Sequence, residues 1–335
     1  MKYRKLLNKN IFISEIGFGA WGIGGATAGS TSYGETDDNT SKLALLAAYK
    51  SGVNYFDTSN VYGNGKSELL IGEVFEKYRE SVVYSTKVGL LSYNKLGDYS
   101  IKSMRESLSS SLERLRTNYI DILYLHNMPI IDSSEYKQVL EFFHTLKLEG
   151  IIKAVGVSVS RPDEGIIAID KIKPDVIQVN YNLMDYRVLD IGLADKAEKN
   201  KVSLVIRTPL SAGFLTSTIG IDDDFHNADH RSRINKEMRR TWLNMSNKMK
   251  GCLDSRINET SAIMSLRFCL SLKSVVSVIP GMLTPKHVLE NVKASDFGVL
   301  SKSTLDSLEE LYRNSERKLE RDIKNSVKKL TDGKH

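Results

Sequence analysis

The chain has 335 residues, of which 41% are hydrophobic, and a formal net charge of +6 at pH 7. This length and composition suffice for a large hydrophobic core. The positive charge is spread along the chain and forms no basic stripe with interleaved aromatic residues, which argues against nucleic-acid binding. No apolar run approaches the roughly 18 residues of a membrane span. The two cysteines, Cys252 and Cys269, are too few for a disulfide framework, so we expect a reducing compartment, the cytoplasm.

Eight short segments along the chain are nearly continuous in Val, Ile, Leu or Tyr. Such segments are typical of parallel β-strands that are covered on both faces. The predicted strands are Ile16–Gly19, Val53–Asp57, Val82–Lys87, Ile120–His126, Ala154–Ser158, Val176–Tyr181, Leu204–Arg207 and Val275–Pro280.

Amphipathic segments with helical periodicity lie between these strands. Eight strands that alternate with helices indicate an α/β protein, a closed (β/α)8 TIM barrel formed by residues 1–335 as one domain. An open doubly wound sheet is the main alternative, and the polar residues at the strand ends favour the barrel. The predicted helices are Thr40–Ser51, Lys66–Tyr78, Ile101–Arg116, Glu135–Glu149, Pro162–Ile169, Val188–Lys199, Thr260–Leu272 and Pro285–Val292.

Three segments lie outside this alternation. Residues 3–13 predict an N-terminal hairpin that covers the bottom of the barrel. Residues 216–256 separate the seventh strand from its helix and predict a long loop followed by an added helix; loops of this length are usually functional or disordered. Residues 302–330 predict a C-terminal helix with one apolar face, formed by Leu319, Ile323, Val327 and Leu330.

Four polar side chains lie at the ends of three successive apolar segments, or shortly after them. Asp57 ends the first of these segments, with Tyr62 five residues on, and Lys87 and His126 end the next two. An acid, a phenol, an amine and an imidazole in one pocket can protonate a carbonyl oxygen, which is the chemistry of a reductase that takes hydride from a nicotinamide. Taken singly, each residue also fits a structural role, as a cap, a surface lysine, a core histidine or one of fifteen tyrosines.

The string Gly17-Phe18-Gly19-Ala20-Trp21-Gly22 matches the G-x-G-x-x-G pattern of dinucleotide-binding domains. That pattern requires a helix to begin at the string. Here the following residues, IGGATAGSTSYGE, are rich in Gly, Ser and Thr and oppose a helix. We therefore do not expect a Rossmann domain, and interpret the glycines as turns or as a close approach to a flat ligand.

Several segments together resemble the aldo-keto reductase superfamily, in its bacterial members. They are GFGAWGIGG, NYFDTSNVYGNGKSELLIGE, STKVG, DILYLHNM, GVSV, QVNYNLM, TPLSAGFLT and VIPGMLTPKHVLENV, in order from Gly17 to Asn291. The resemblance implies a (β/α)8 barrel that binds NADP(H) without a Rossmann domain. It also implies that Asp57, Tyr62, Lys87 and His126 are the catalytic residues.

The expected roles follow from the chemistry of these groups. A free tyrosine titrates near pH 10, so a nearby ammonium, that of Lys87, would make Tyr62 a better proton donor. Asp57 would be the counter-ion of Lys87. A neutral His126 would hydrogen-bond the substrate carbonyl and orient it.

The resemblance also implies the cofactor-binding residues. Ser158 and Gln178 match positions that hold the nicotinamide carboxamide, although Val159 replaces the usual Asn beside that serine. Arg207 replaces an aromatic residue that stacks on the nicotinamide, and its charge would disfavour the oxidised ring. Leu210, Ser211, Gly213 and Leu215 would present their backbone to the pyrophosphate. The full expected set is Gly19, Ala20, Trp21, Asp57, Ser158, Gln178, Arg207, Thr208, Leu210, Ser211, Gly213, Leu215, Ile279, Gly281, Lys286, His287, Glu290 and Asn291.

The segment after the eighth strand departs most from the family pattern. Relatives that prefer NADP carry Arg or Lys two residues after the glycine of I-P-G, whereas Met282 and Leu283 follow Gly281 here. Thr284 and Lys286 are left as candidates for a 2′-phosphate. We therefore expect NADPH as the cofactor and leave NADH open.

The leading hypothesis is thus an NADPH-dependent reductase of a small aldehyde or ketone, with no nucleic-acid or membrane partner. The alternatives are an NAD-linked sugar or alcohol dehydrogenase and a cofactor-binding regulatory subunit of a channel. The histidines form no H-x-H or H-E-x-x-H pattern, so no metal site is expected. Substrate and oligomeric state are left open, and the candidate substrate-pocket residues are Trp21, Tyr33, Met128, Phe225 and Trp242.

Overall fold

The computed structural model describes residues 1–27, 32–93, 96–127, 133–252 and 259–314. It begins with the expected antiparallel hairpin, β1 (Tyr3–Lys5) and β2 (Phe12–Ser14). Leu6 and Ile13 of this hairpin are fully buried in a cluster with residues from the barrel interior. The backbone amide of Leu7 donates to Ser203 Oγ at 2.9 Å, at the beginning of a barrel strand. The hairpin therefore closes the bottom of the barrel, as the sequence predicts.

Eight parallel strands follow in one sheet, and each pairs with the next along the chain. Parallel bridges between Ile16 and Val278 and between Gly19 and Gly281 join the first strand to the last. The (β/α)8 fold is therefore confirmed, and the open doubly wound sheet is excluded. The strands are β3 (Phe18–Gly19), β4 (Tyr55–Asp57), β5 (Val83–Val88), β6 (Ile120–His126), β7 (Ile152–Ser158), β8 (Val176–Asn180), β9 (Ser203–Arg207) and β10 (Val275–Val278).

The helices agree with the sequence pattern except at three places, one of which is the additional short helix Lys293–Phe297. The segment predicted as Val188–Lys199 is two helices, because Gly192 adopts a left-handed conformation (φ 73°) between them. The helix after β4 ends at Phe75 and continues as a 3₁₀ turn, Glu76–Ser81. The helices are α1 (Asp38–Lys50), α2 (Lys66–Phe75), α3 (Ile101–Arg114), α4 (Ser133–Leu148), α5 (Pro162–Lys171), α6 (Arg187–Asp190), α7 (Leu193–Lys199), α8 (Lys236–Gly251), α9 (Ser261–Leu270), α10 (Pro285–Asn291) and α11 (Lys293–Phe297).

Local side-chain caps explain where several helices begin. Asp37 accepts a hydrogen bond from the backbone amide of Thr40 at 2.7 Å, and Ser100, Asn235, Thr260 and Thr284 cap their helices in the same way. Each cap satisfies an amide that the first turn of a helix leaves without a partner.

Gly19 is required where the barrel closes. A Cβ atom at this position would lie 2.6 Å from the backbone oxygen of Ile279 and 3.0 Å from that of Pro280. No residue other than glycine fits such a gap without backbone movement. The G-x-G-x-x-G string therefore serves the packing of the first strand against the last. It leads into a short 3₁₀ turn, Gly22–Gly24, and not into an α-helix.

The long insert after β9 consists of a loop, a 3₁₀ turn (His230–Arg233) and the added helix α8. Asp229 bridges to Ser32 and Tyr33 in the loop after β3. We call residues 216–234 the strap, because they lie across the mouth of the barrel. Residues 302–314 are helical, whereas the predicted apolar face from Leu319 to Leu330 lies outside the described residues. Within the described ranges, no helix has the length and apolar character needed to cross a membrane.

Candidate active site

The carboxyl ends of three neighbouring strands bring three of the predicted catalytic residues together. Asp57 ends β4, Lys87 is the penultimate residue of β5, and His126 ends β6. Parallel pairing aligns Asp57 with Ser85 on β5, and His126 with Ser158 on β7. In barrels of this type, residues at the carboxyl ends of the strands meet at one face.

Lys87 and Asp57 form a buried ion pair. Lys87 Nζ donates to Asp57 Oδ2 at 2.8 Å and to the backbone oxygen of Thr58 at 2.7 Å. The exposed fraction of the two side chains is 0% and 2%. The second carboxylate oxygen, Oδ1, accepts from Ser85 Oγ and Gln178 Nε2, both at 2.8 Å. Such extra hydrogen bonds are what a buried ion pair needs to offset its loss of hydration.

Burial and the charges around Lys87 act in opposite directions on its pKa. Burial lowers the pKa of the Lys87 ammonium, and the carboxylate of Asp57 opposes this effect. The contact with Asp57 therefore favours the charged form of Lys87 against the effect of burial. Removal of either partner would leave the other as an uncompensated buried charge.

Tyr62 lies in the turn between β4 and α2, directly above this ion pair. Its ring centroid is 4.7 Å from Lys87 Nζ and 6.2 Å from the ring of His126, and the two rings stand nearly perpendicular. Burial raises the pKa of the Tyr62 phenol, Asp57 raises it further, and Arg207 lowers it. Burial thus opposes the expected effect of Lys87 on the pKa of this phenol, because a buried site disfavours the charged phenolate.

His126 is held in its neutral form. Burial lowers the pKa of its imidazole well below the usual value, and the positive charges of Lys87 and Arg207 lower it further. Its Nδ1 atom lies 3.2 Å from Ser59 Oγ, and its backbone oxygen accepts a hydrogen bond from the Tyr99 hydroxyl at 2.9 Å. The contact with Ser59 holds the ring beside Tyr62.

A chain of hydrogen bonds links the ion pair to the neighbouring strands. Gln178 Nε2 donates to Asp57, and Gln178 Oε1 accepts from Ser158 Oγ at 3.2 Å. Beside this chain, Arg207 Nη2 donates to the backbone oxygen of Val159 at 2.8 Å. Arg207 Nε is buried and has no hydrogen-bond partner. An unpaired buried donor of this kind is costly and is consistent with a polar ligand beside it.

A cleft of about 530 Å³ opens above these residues at the barrel mouth. Pockets for small molecules and cofactors commonly have this size. Tyr62 and His126 line it, together with most of the predicted cofactor-binding residues, namely Gly19, Trp21, Asp57, Gln178, Arg207, Thr208, Leu210, Gly213, Ile279, Gly281, His287, Glu290 and Asn291.

Five of the expected cofactor-binding residues do not line this cleft. Ala20 is fully buried and its backbone amide donates to the backbone oxygen of Asp57. Ser158 is buried below the cleft, where it donates to Gln178. The backbone amides of Ser211 and Leu215 donate within their own turn. The fifth residue, Lys286, is exposed on α10.

The turn after β9 has an unusual backbone. Thr208, Ser211, Ala212 and Ser217 have positive φ angles of 55°, 46°, 56° and 66°. Left-handed conformations cost free energy in residues other than glycine and cluster at functional sites. This turn lines the cleft at Thr208, Leu210 and Gly213, so the strain is located where a ligand would meet the backbone.

The end of the cleft that Leu283, His287 and Glu290 line carries little positive charge. Leu283 occupies the position of the expected cation, and its backbone amide donates to His287 Nδ1 at 3.3 Å. The Thr284 hydroxyl accepts from the His287 amide at 3.3 Å and so caps α10. Burial lowers the pKa of the His287 imidazole, which is therefore neutral at pH 7. The carboxylate of Glu290 lies at the same end.

Comparison with known proteins agrees with this geometry. The sequence profile described as "Aldo/keto reductase family" matches residues 15–313. The chain belongs to the aldo/keto reductase family. It is therefore an NAD(P)H-dependent oxidoreductase, and its substrate is a small carbonyl compound or the corresponding alcohol.

Individual relatives cover nearly the whole of this aldo-keto reductase. It is 29% identical to the NADH-specific methylglyoxal reductase of Escherichia coli, over 88% of this chain and 93% of that protein. It is 26% identical to a probable voltage-gated potassium channel subunit beta of Oryza sativa, over 96% of this chain and 99% of that protein. Among solved structures, the holo form of an aldo-keto reductase from Bacillus halodurans superposes with a TM-score of 0.76 at 25% identity, over 93% and 96% of the two chains.

The sequence analysis missed several residues that line the cleft of this aldo-keto reductase. Tyr93, from the loop after β5, and Asn127, directly after β6, both line it, as do His230 and Arg231 of the strap. Tyr93 hydrogen-bonds Trp21 through its side chain. The strap residues lie in the charged run DHRSR, residues 229–233, but such a run alone does not say which loop the strap contacts.

Three aromatic rings join the strap to the loop after β3. The ring centroids of Trp21, Tyr33 and His230 lie 4.8 to 5.1 Å apart, in edge-to-face contact. The guanidinium of Arg231 lies 5.0 Å from the ring centroid of Tyr33 and is paired with Asp229. The contact between Trp21 and the strap therefore covers the cleft from above.

The other candidate substrate-pocket residues lie elsewhere. Phe225 lies in the strap, 4.4 Å from the Arg231 guanidinium, and Trp242 packs on Phe214 at 5.1 Å. Neither residue lines the cleft, and Met128 is outside the described residues. A group of His, Cys, Asp and Glu side chains that could hold a metal ion does not occur in the described ranges.

Proposed function

We propose that this aldo-keto reductase reduces an aldehyde or ketone to an alcohol, with Tyr62 as the proton donor. The observation that carries the proposal is the buried Lys87–Asp57 ion pair, which lies 4.7 Å below the Tyr62 ring while His126 stands beside that ring. An ion pair sealed in a barrel interior is costly to maintain for stability alone. It is well suited to stabilise the charge that forms on the phenol above it.

The mechanism assigns one task to each residue. His126, in its neutral form, hydrogen-bonds the substrate carbonyl and holds it next to Tyr62. The reduced nicotinamide supplies the hydride that the carbonyl carbon accepts. Tyr62, which is fully protonated at neutral pH because burial raises its pKa, gives its proton to the carbonyl oxygen. Lys87 and Arg207 then stabilise the phenolate until it is protonated again.

The residues that would hold the nicotinamide are Gln178 and Arg207, with Trp21 at the roof. The unpaired Nε atom of Arg207 offers a hydrogen bond next to the Ser158–Gln178 pair. The strained turn from Thr208 to Gly213 would meet the pyrophosphate, and the backbone amides of Leu210 and Ala212 form no backbone hydrogen bond within that turn. These assignments rest on position and hydrogen-bonding capacity, and mutation of each residue tests them.

The charges at the adenosine end of the cleft support NADH better than NADPH. Leu283 lines the cleft where a cation would contact a 2′-phosphate, and the exposed Lys286 does not line it. The carboxylate of Glu290 would repel a phosphate but can accept hydrogen bonds from ribose hydroxyls. The NADH-specific relative from Escherichia coli points the same way, and the expectation of NADPH stays a prediction until both cofactors are compared.

The direct test is a steady-state assay of the purified full chain. Consumption of NADH and of NADPH is followed with methylglyoxal, chosen because a relative is named for it, and with a panel of simple aldehydes and ketones. We expect turnover with at least one carbonyl and a higher kcat/KM with NADH. Binding of the nucleotide without turnover of any carbonyl would contradict the proposal.

A cofactor-binding channel subunit is the second candidate, because one relative is named as a probable subunit of this kind. In that case the nucleotide would bind tightly and turn over slowly with every carbonyl tested. The intact set of Asp57, Tyr62, Lys87 and His126 favours catalysis. We also propose a cytoplasmic location, since both cysteines are free, as is usual in a reducing compartment.

A further inference from the structure

Arg207 ends β9 at the edge of the cleft and has an unusual environment. Its guanidinium donates from Nη2 to the Val159 backbone oxygen at 2.8 Å, while Nε is buried without a partner. Within the described part of the chain it forms no ion pair with a carboxylate. Arginine does not lose its proton in proteins, so a positive charge remains at the wall of the cleft.

The groups around Arg207 leave this charge uncompensated. Two acids act on Arg207, and both have other partners. Asp57 is paired with Lys87 and accepts two further hydrogen bonds, and Glu164 accepts from the backbone amides of Ser160 and Arg161. The other polar neighbours, Tyr62 and His126, are neutral, and Arg207 is close enough to lower the pKa of both. The centre of the cleft therefore has a net positive potential that does not extend to its adenosine end.

We propose that Arg207 makes the protein discriminate between the two redox states of its cofactor, by binding the reduced nicotinamide in preference to the oxidised one. The inference rests on the proposed function, because it requires the nicotinamide to lie between Tyr62 and Arg207. The reduced ring is neutral, whereas the oxidised ring carries a positive charge. Since the two forms are otherwise alike in their contacts, an uncompensated guanidinium in a low-dielectric site disfavours only the oxidised form.

This discrimination would fix the direction in which the enzyme works best. The reduced cofactor binds tightly and the oxidised product leaves readily, so accumulation of the product inhibits reduction only weakly. Oxidation of an alcohol would have to start from the disfavoured complex. Arg207 would thus distinguish a reductase from an NAD-linked dehydrogenase built on the same set of catalytic residues.

The test measures the binding of both redox states without any substrate. One of the two tryptophans, Trp21, lines the cleft, so quenching of tryptophan fluorescence reports on NADH and NAD⁺ binding. The variants are Arg207→Met, which removes the charge at similar length, and Arg207→Lys, which keeps it. We expect the ratio of the Kd of NAD⁺ to the Kd of NADH to fall about tenfold or more in Arg207→Met and to change less than about threefold in Arg207→Lys.

Several outcomes would overturn the inference. An equal loss of affinity for both forms in Arg207→Met would assign the arginine to the pyrophosphate. An unchanged ratio, with a higher KM for succinic semialdehyde but not for butyraldehyde, would assign it to an anionic substrate. Either result would leave the proposed function intact. Failure of the wild-type chain to bind NADH, NAD⁺, NADPH and NADP⁺ alike would remove the proposed function and this inference together.

Discussion

The ammonium of Lys87 lies 2.8 Å from the carboxylate of Asp57, and neither group has contact with solvent. This pair is the fixed element of the site, because three strands contribute to it through Asp57, Ser85 and Gln178. The Tyr62 ring lies above Lys87, His126 lies beside that ring, and both residues line the cleft. The predictions below separate what the pair does for stability from what it does for the reaction.

Tyr62→Phe is expected to reduce kcat by a factor of about 10² to 10⁴, the usual contribution of a general acid. The substitution keeps the ring but removes the proton, so the Kd of NADH should remain close to that of the wild type. Tyr93→Phe is the matched control, because Tyr93 also lines the cleft, and it should lose less than about tenfold. Steady-state rates and fluorescence titrations measure both effects. Near-normal kcat in Tyr62→Phe would refute the assignment of the proton donor.

Lys87→Met is expected to abolish activity and to lower the free energy of unfolding by about 3–5 kcal/mol, because it leaves Asp57 charged and unpaired in the interior. The double variant Lys87→Met/Asp57→Asn should regain most of this stability, since the uncompensated charge is gone, but should stay inactive. Urea denaturation measures the free energy of unfolding, and initial rates measure the activity. Recovery of activity in the double variant would show that the ammonium is dispensable for the reaction.

Protein stability should fall as the pH falls below about 6.5, partly because of His126. Burial lowers the pKa of this imidazole in the folded state, so the unfolded chain binds the proton first and gains population as the pH drops. The loss from one such histidine reaches at most about 1.4 kcal/mol per pH unit and ends below the folded-state pKa. His126→Gln should flatten the profile between pH 7 and 5 in urea denaturation. His144→Gln, at an exposed position on α4, should leave the profile unchanged, and equal effects of the two variants would exclude a role of His126.

His230→Ala is expected to accelerate the dissociation of NADH by up to about tenfold, because it removes ring contacts worth about 0.5–1.5 kcal/mol each between the strap and Trp21 or Tyr33. Stopped-flow fluorescence measures the rate. His226→Ala is the control, since His226 lies in the same strap but does not line the cleft. If dissociation is equally fast in both variants, the ring cluster does not retain the cofactor.

Leu283→Arg is expected to raise kcat/KM for NADPH by about 10- to 100-fold relative to NADH, the range of one charge-assisted hydrogen bond. Leu289→Arg adds the same charge to an exposed position on α10 and should change the ratio little. Parallel assays with NADH and NADPH measure the ratio of the two kcat/KM values. The absence of any change in Leu283→Arg would locate the adenosine elsewhere in the cleft.

Much of the architecture could be predicted because it depends on local hydrophobic pattern. The continuous apolar segment Ile120–His126 is a strand with the predicted bounds, since a strand buried on both faces needs no alternation. The convergence of Asp57, Lys87 and His126 follows from the position of each at or near a strand end. The split of the helix at Gly192 was not predicted, because a single glycine does not reveal whether its φ angle is positive.

The roof of the site could not be predicted from the chain in the same way. The contact of His230 with Trp21 joins residues more than two hundred positions apart, in loops without periodicity. The electrostatics of Tyr62 also depend on depth: spacing suggests which charges are near, but only the packed structure tells how much burial opposes them. The lack of a counter-ion at Arg207 likewise becomes visible only when its neighbours in the packed structure are known.

The hairpin of β1 and β2 limits the routes by which a proton can reach Tyr62, the proposed proton donor. From Asp57 the polar contacts run inward to Ser85, then to the Tyr55 hydroxyl, and end at the Tyr124 hydroxyl. Below these tyrosines, the buried apolar side chains of Leu6 and Ile13 close the bottom of the barrel. These apolar side chains block a proton path from the bottom of the barrel, so a proton must enter through the mouth, as the reactants do. Reprotonation of Tyr62, the proposed proton donor, would therefore take place through the mouth of the barrel.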